Sequence, residues 1–513
     1  MQAADYIVMA VYVVLVLGLG ACFSRRQRSQ GEFFLAGRSL SWLPLGLSVM
    51  ASLFSAVNYT AFPTEIMGHG LYVILTLPMF VVVALPITRV AMPFLRGMQL
   101  CSAHEYLERR FDLRVRCVAG VLFVLWRLFW MATTLYAASV LMRRLVGASS
   151  MYPFLLVVGV TAVIYTTMGG MRAVVWTDVM QVVVLVGGIA AAVSAAFWRT
   201  PGGVAGALRA CAGGGLLKPF YPFDPAMFSI SPTVRISLWS AWIGAFTAFL
   251  ARYGADQMVL QRYFAAKSLQ GARRAFRINY IAALVAVSGL GLMGLSIYAV
   301  VCAGGSAQNL SPLACLALFI KGLPAGVRGL LAAGILAAAM SSMDSGIHAC
   351  ATVIVTDFCD RLHGGVNDRL GEGQRSTGRG VRVGFARVLT AVLGVGVMAI
   401  ACYVGRLGTL FEIANKIVNG LGSPLLAMFL LGMFFPRANS WGIVVGGILG
   451  AVWSAWVSFA VKGLALHYYA VVNLLGTMAL CLGASAIAGM LKAGATPDQL
   501  KWTWAARRRL PEP

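Results

Sequence analysis

The sequence predicts an all-α polytopic membrane protein of about thirteen transmembrane helices, and three observations carry that prediction. Apolar runs of roughly 20 residues, enough to cross a bilayer core, recur from end to end. The 513 residues are 59% hydrophobic and 11% charged, a balance at which a soluble chain would precipitate. Basic residues gather in alternate loops, as in chains threaded through a membrane. No soluble domain of useful size fits between the runs, so residues 1–513 read as one integral membrane domain.

The first run, 4–23, follows no basic region and precedes no small-residue cleavage site, so it reads as a retained helix and not a signal peptide. The second, 42–66, lies in SWLPLGLSVMASLFSAVNYTAFPTEIMGHG (41–70), with Ser48, Ser52, Ser55, Asn58 and Thr60 before Pro63. That is too polar for a lipid-facing helix. Two readings stand: a helix opened in its middle, with bare carbonyls lining a cavity, or a Pro-kinked helix packed through small residues. Spans follow at 71–92, 117–141, 152–170 and 173–198. The span at 236–257 looks like a counterpart of the second, with Arg252 near its end and Gly254 and Asp256 following. The two unusual spans are five apart, the spacing of two inverted five-helix repeats. After 278–302 comes 328–358, which includes AGILAAAMSSMDSGIHACATVIVTD (333–357). Its middle carries Ser341, Ser342, Asp344, Ser345 and His348. A carboxylate near the bilayer centre is costly and marks function by default. Spans at 386–405, 409–434, 441–461 and 469–491 complete the series.

The net charge of +24 is mostly a topology signal and does not indicate a nucleic-acid partner. The basic segments are 24–30, 106–116, 261–277, 360–382 and 505–510; they are expected in the cytoplasm, with the N-terminus outside and the C-terminus inside a cell membrane. Arg143, Arg144, Arg209 and Lys218 are exceptions on the outer side. Ten scattered cysteines form no CxxC pair, though Cys211, Cys302 and Cys315 lie near the outer face, where pairing is open. There is no GxxxxGK[ST] and no Gly-x-Ser-x-Gly, and HEYLE (104–108) lacks the second histidine of a zinc-protease motif. A transporter driven by an ion gradient is what remains, beside a channel, a membrane sensor or an embedded enzyme. A sensor needs a soluble output domain. An enzyme needs a nucleophile–base pair, for which Asp344 and His348 are the close candidates. No obligate protein partner is implied; the bilayer, a cation and a small solute are.

The segment YTTMGGMRAVVWTDVMQ (165–181) resembles the YT-x-x-GG-x-x-AV-x-WTD-x-x-Q motif of the sodium:solute symporter family, the group of sodium–glucose, –proline, –iodide and multivitamin transporters. LAGRSLSWLPLGLSVMASLFSAV (35–57), EYLERRFDLRVR (105–116), GADQMVLQRYFAAKS (254–268), the serine-bearing helix and GSPLLAMFLLGMFFPRANSWG (422–442) agree in order and spacing. The resemblance implies a LeuT-type core of ten helices over residues 40–434, with broken first and sixth core helices. One helix, 4–23, precedes it and two, at 441–491, follow. It implies sodium-coupled import by alternating access, with Na+ as coupling ion.

Ala338, Ser341, Ser342 and Ser345 share one helical face. A hard cation such as sodium favours oxygen ligands. The resemblance implies a sodium site of Ala51, Phe54, Ala338, Ser341 and Ser342; otherwise the two serines bond back to carbonyls of their own helix. It also implies a second cation site at Asp178, Ser341, Asp344 and Ser345, where family members have serine at the position of Asp344. Two carboxylates at one site neutralise a cation strongly, or one holds a proton, shared with His348. The alternative is that Asp344 pairs with Arg127 or Arg252.

Sugar-carrying members place glutamine, asparagine and tyrosine where this chain has Asn58, Phe249 and Arg252. A guanidinium beside an apolar ring suits a small carboxylate, which arginine holds with two parallel bonds. Arg127 and Lys416 are further buried cations for the substrate site. A neutral sugar, polyol, amino acid or vitamin stays open.

Overall fold

A computed structural model of the chain describes residues 1–24, 30–302, 310–361, 377–408, 410–490 and 494–507. Among them there is no strand, only two isolated bridges, Leu40 with Ala266 and Phe220 with Phe223. Ten helices are long and apolar enough to cross a membrane, or eleven when a pair bent by 62°, Trp42–Leu53 and Ala56–His69, counts as one span.

Two places account for the distance from thirteen. The spans expected at 152–170 and 173–198 fall in one 48-residue helical run, Tyr152–Arg199, interrupted at Gly170, whose φ of +56° and ψ of −162° are not helical. A straight helix of that length would run about 72 Å, more than twice a hydrocarbon core. The span expected at 236–257 is a 17-residue helix, Leu238–Gly254, followed by a second helix, Gln257–Ala265. Asp256, in an extended conformation, caps that second helix.

The helix Val327–Val353, here the serine helix, is the core of the molecule. In its most apolar window 94% of residues are buried, against 17% for the N-terminal helix Ala3–Ser24. It packs chiefly on Tyr152–Arg199, and Ala3–Ser24 lies against both. The last two helices, Ser440–Ala460 and Tyr468–Met490, meet along Gly442, Gly446 and Gly450. A Cβ there would lie 1.9–2.3 Å from Ser485, Cys481 and Thr477, so only glycine allows the approach.

Several basic residues read as cytoplasmic topology markers are buried. Arg110, Arg116 and Arg262 are all 3% exposed or less. Arg110 donates to the carbonyls of Gly432, Phe435 and Ala438; Arg116 grips Asp357. The sequence pattern counted their charge but not their direction. The basic stretches 25–29 and 362–376 and the Cys302 side chain lie outside the described residues. Cys211 and Cys315 form no disulfide with each other.

The N-terminal helix is fastened by Asp5, which is fully buried. One carboxylate oxygen accepts the Gly326 and Gly329 N–H groups at 3.0 Å, at the start of the serine helix. The other accepts Arg328 Nε at 2.7 Å. Removing one partner of a buried pair costs about 3–5 kcal/mol. Asp5→Ala is therefore expected to lower the unfolding temperature in detergent clearly, and Asp5→Asn, which keeps an acceptor, by less. Equal melting of Asp5→Ala and wild type would contradict this.

Candidate functional site

The break in the second span begins as a hydrogen-bond problem. Phe54 and Ser55 are extended, with ψ of 113° and 169°. The Ser55 N–H, which would close on Ala51 in a continuous helix, goes to Asn58 Oδ1 at 3.0 Å. The Val57 N–H goes to Ser55 Oγ at 3.2 Å. Carbonyls at the break are thus released at membrane depth, where they must find other partners. The serine helix supplies them. Ser341 Oγ lies 3.0 Å from the Ala51 oxygen and 3.2 Å from that of Ala338. Ser342 Oγ lies 3.4 Å from the Ser52 oxygen and 3.5 Å from that of Phe54. The five expected residues Ala51, Phe54, Ala338, Ser341 and Ser342 converge, with Ser52 added. Four carbonyls, two hydroxyls and no water-facing surface make a donor set of the kind hard monovalent cations take. Of the two fates open to the serines, each reaches across to the broken helix, and Ser341 also bonds back within its own turn.

Asp178 stands beside this cluster but is not alone. Its Oδ2 accepts Ser48 Oγ at 2.5 Å, Arg262 Nη2 at 3.1 Å and Ser345 Oγ at 3.4 Å. Arg262 also donates to Ser48 Oγ at 2.7 Å, to Ser345 Oγ at 2.5 Å and to the Met258 carbonyl at 2.8 Å. Asp178 Oδ1 and Gln181 Oε1 are buried acceptors without a hydrogen-bond partner. Arg262 was not among the expected site residues. It lies seven residues after Ala255, in a segment rich in arginine and lysine, and helical periodicity past the Asp256 cap is the signal that turns it inward.

Asp344 accepts the Tyr165 hydroxyl at 2.7 Å and the Ser345 N–H. Gln181 Nε2 reaches Tyr165 and Tyr12. Neither Arg127 nor Arg252 pairs with Asp344: the salt bridge of Arg127 is to Asp256, and Arg252 lies over the Trp130 ring, 5.7 Å from its centre. His348 Nε2 faces the Phe33 carbonyl at 3.0 Å, so the expected sharing of a proton with Asp344 has no hydrogen bond to run through among the described residues.

A cavity of about 140 Å3 opens next to the break, lined by Asn58, Phe80, Trp130, Phe249, Arg252 and Asn419 among others. Three expected substrate residues, Asn58, Phe249 and Arg252, meet there. Asn58 also closes the capping box with Ser55, and Phe249 stacks on Phe80 at 4.2 Å. Two expected residues do not join them. The Arg127 guanidinium is taken by Asp256 and stacked 4.6 Å from Trp126. Lys416 lies over Phe459 in a separate cavity of about 440 Å3. Being cationic and buried was the ground for including both, and an acid or an aromatic ring elsewhere satisfies that condition equally well.

The profile of the Sodium:solute symporter family matches residues 33–450. The chain belongs to that family. The symporter is 28% identical over 462 residues to Sodium-coupled monocarboxylate transporter 1 of Xenopus laevis, covering 88% of this chain and 71% of the relative. It is 29% identical to the Sodium-dependent multivitamin transporter of Oryctolagus cuniculus (88% and 70%) and 28% identical to the human Sodium/iodide cotransporter (89% and 70%). Its fold matches a Na+-coupled sialic acid symporter, solved substrate-bound and outward-open, with a TM-score of 0.84 at 24% identity over 96% of this chain and 99% of that one. The symporter is therefore a multi-pass membrane protein of LeuT-like fold. It couples movement of a small solute to sodium and is a transporter, not an enzyme.

The Asp178–Arg262 pair gives a test by double-mutant cycle. Asp178→Asn leaves a buried guanidinium without its counter-charge and should cost about 3–5 kcal/mol of stability. Adding Arg262→Gln should recover part of that loss. Additive losses in thermal unfolding would mean the two side chains do not interact.

Proposed function

We propose that this protein imports a small monocarboxylate together with sodium. One observation carries the reading: Arg252 lines the central cavity, and no acid among the described residues pairs with it, because Asp256 is taken by Arg127. A desolvated cation needs a counter-charge, and a substrate carboxylate supplies one. The cavity is smaller than the roughly 300–1,000 Å3 of drug-sized sites, which suits a solute of few heavy atoms. The relatives named monocarboxylate transporters agree with it.

In this reading Ala51, Phe54, Ala338, Ser341 and Ser342 hold the coupling sodium, with the Ser52 carbonyl beside them. The second cation site has a different composition from the one the family resemblance implies. Arg262 already supplies one positive charge against Asp178 and Asp344, so one more monovalent cation, sodium or proton, neutralises the cluster. The finer architecture belongs to the same proposal: thirteen spans, with Gly170 dividing Tyr152–Arg199 and Leu238–Gly254 crossing; a ten-helix core over 40–434 in two inverted repeats; and the N-terminus outside. The breaks at Phe54–Ser55 and at Ala255–Asp256, in spans five apart, support the repeat.

Arg252→Lys keeps the charge and loses the two-pronged geometry, so propionate affinity at fixed sodium should fall by roughly 1–3 kcal/mol. Arg252→Gln should lose more. Confirmed transport of a neutral solute, with carboxylates ignored, would sink the reading. Separately, Ser341→Ala and Ser342→Ala are each expected to raise the sodium concentration for half-maximal uptake in proteoliposomes. Unchanged sodium dependence in both would move the ion elsewhere.

A further inference from the structure

We infer a second, shallower anion site in the outer vestibule, built by Arg143 and Arg144, which receives the carboxylate before Arg252 does. The inference rests on the carboxylate reading and on the outward N-terminus proposed above. Both arginines end the helix Leu113–Val146 and are half-buried. Both line a cavity of about 890 Å3, whose walls also carry Arg235, Glu65 and Glu412. Neither guanidinium has an ion pair or hydrogen bond among the described residues.

The last turn of a helix favours cations through its free carbonyls, and that explains a basic residue at this end. It does not explain two unpaired ones facing a cavity on the side of the membrane where arginine is normally scarce. The cavity also leads somewhere. It shares Ala61 with the central cavity, so the vestibule abuts the space lined by Arg252. In the vestibule wall Arg235 holds Glu65 through two bonds of 2.9 Å, Nε to Oε1 and Nη2 to Oε2. Glu65 rides on Ala56–His69, the second half of the broken helix. The vestibule thus sets three arginines against two glutamates. An entering carboxylate meets Arg143 and Arg144 first, competes with Glu65 for Arg235 next, and reaches Arg252 last. A concave, low-dielectric wall with an excess of positive charge concentrates anions and speeds their entry, and salt weakens the effect over a Debye length of about 8 Å.

The test is sodium-driven uptake of propionate into proteoliposomes at low and high ionic strength. Wild type, Arg143→Gln/Arg144→Gln, the charge-keeping Arg143→Lys/Arg144→Lys and Arg252→Gln are compared after equal thermal unfolding has been checked. The glutamine pair should raise the half-saturating propionate concentration about 3- to 10-fold at low salt and flatten its salt dependence. The lysine pair should keep most of the wild-type salt dependence. If the glutamine pair retains wild-type half-saturation and salt dependence while Arg252→Gln weakens propionate, the vestibular site is overturned and the carboxylate reading stands. If wild type takes up no carboxylate, both fall.

Discussion

Burying a charge in hydrocarbon costs several kcal/mol unless an opposite charge goes with it, and four such pairs dictate which helices of this symporter meet. Asp178 and Arg262 join Tyr152–Arg199 to Gln257–Ala265. Arg127 and Asp256 join Leu113–Val146 to the break beyond Leu238–Gly254. Arg116 and Asp357 join the start of Leu113–Val146 to Ile354–Cys359, which continues the serine helix, and Asp5 and Arg328 join the beginning of the serine helix to the N-terminal helix. Such pairs add little net stability over apolar packing. What they add is specificity, because any other arrangement strands a charge. Against that background Arg252 stands out as a half-buried cation whose partner is an indole face, placed where a solute would lie.

The broken helix obeys the same rule for dipoles. Two extended residues, Phe54 and Ser55, release carbonyls that a continuous helix would satisfy, and the bilayer offers no water in exchange. Ser341 and Ser342 sit opposite on a helix that is itself almost wholly buried. The oxygens therefore gather for a structural reason before any ion is considered, and the proposed sodium site uses a cluster that the backbone already requires.

Much of this was legible in the sequence. Apolar length and alternating basic loops give the membrane class, because both follow from the bilayer's thickness and charge asymmetry. The polarity of 41–70 and the spacing of Ala338, Ser341 and Ser342 mark the break and the face opposite it, since helical periodicity is a local property. Which charge meets which is not local. Asp178 and Arg262 are 84 residues apart, and a buried arginine in a basic segment reads like a solvated one. Arg127, Arg252 and Lys416 were indistinguishable as buried cations until the fold gave one an aspartate, one a phenylalanine and one a cavity. The span counts differ where chemistry is densest: at Gly170, beside the WTD motif, where one helical run covers two expected spans, and in Leu238–Gly254, whose 17 residues are short for a crossing helix.

The clasp at Asp5 has a mechanical consequence. Its helix touches the serine helix at both the Gly326–Gly329 start and, through Tyr12, at Met340 Sδ, 3.7 Å away. Farther along, Gly20 lies directly on Tyr165, whose hydroxyl holds Asp344. A rod of 22 residues, about 33 Å long, is thereby pinned at three points, two of them beside Ser341 and Asp344. Two of the three points are on the serine helix and the third is on Tyr152–Arg199, so the rod bridges the two. The segment that looks most like a peripheral addition, with 17% of its most apolar window buried, is thereby fastened to both helices that carry the buried carboxylates Asp178 and Asp344.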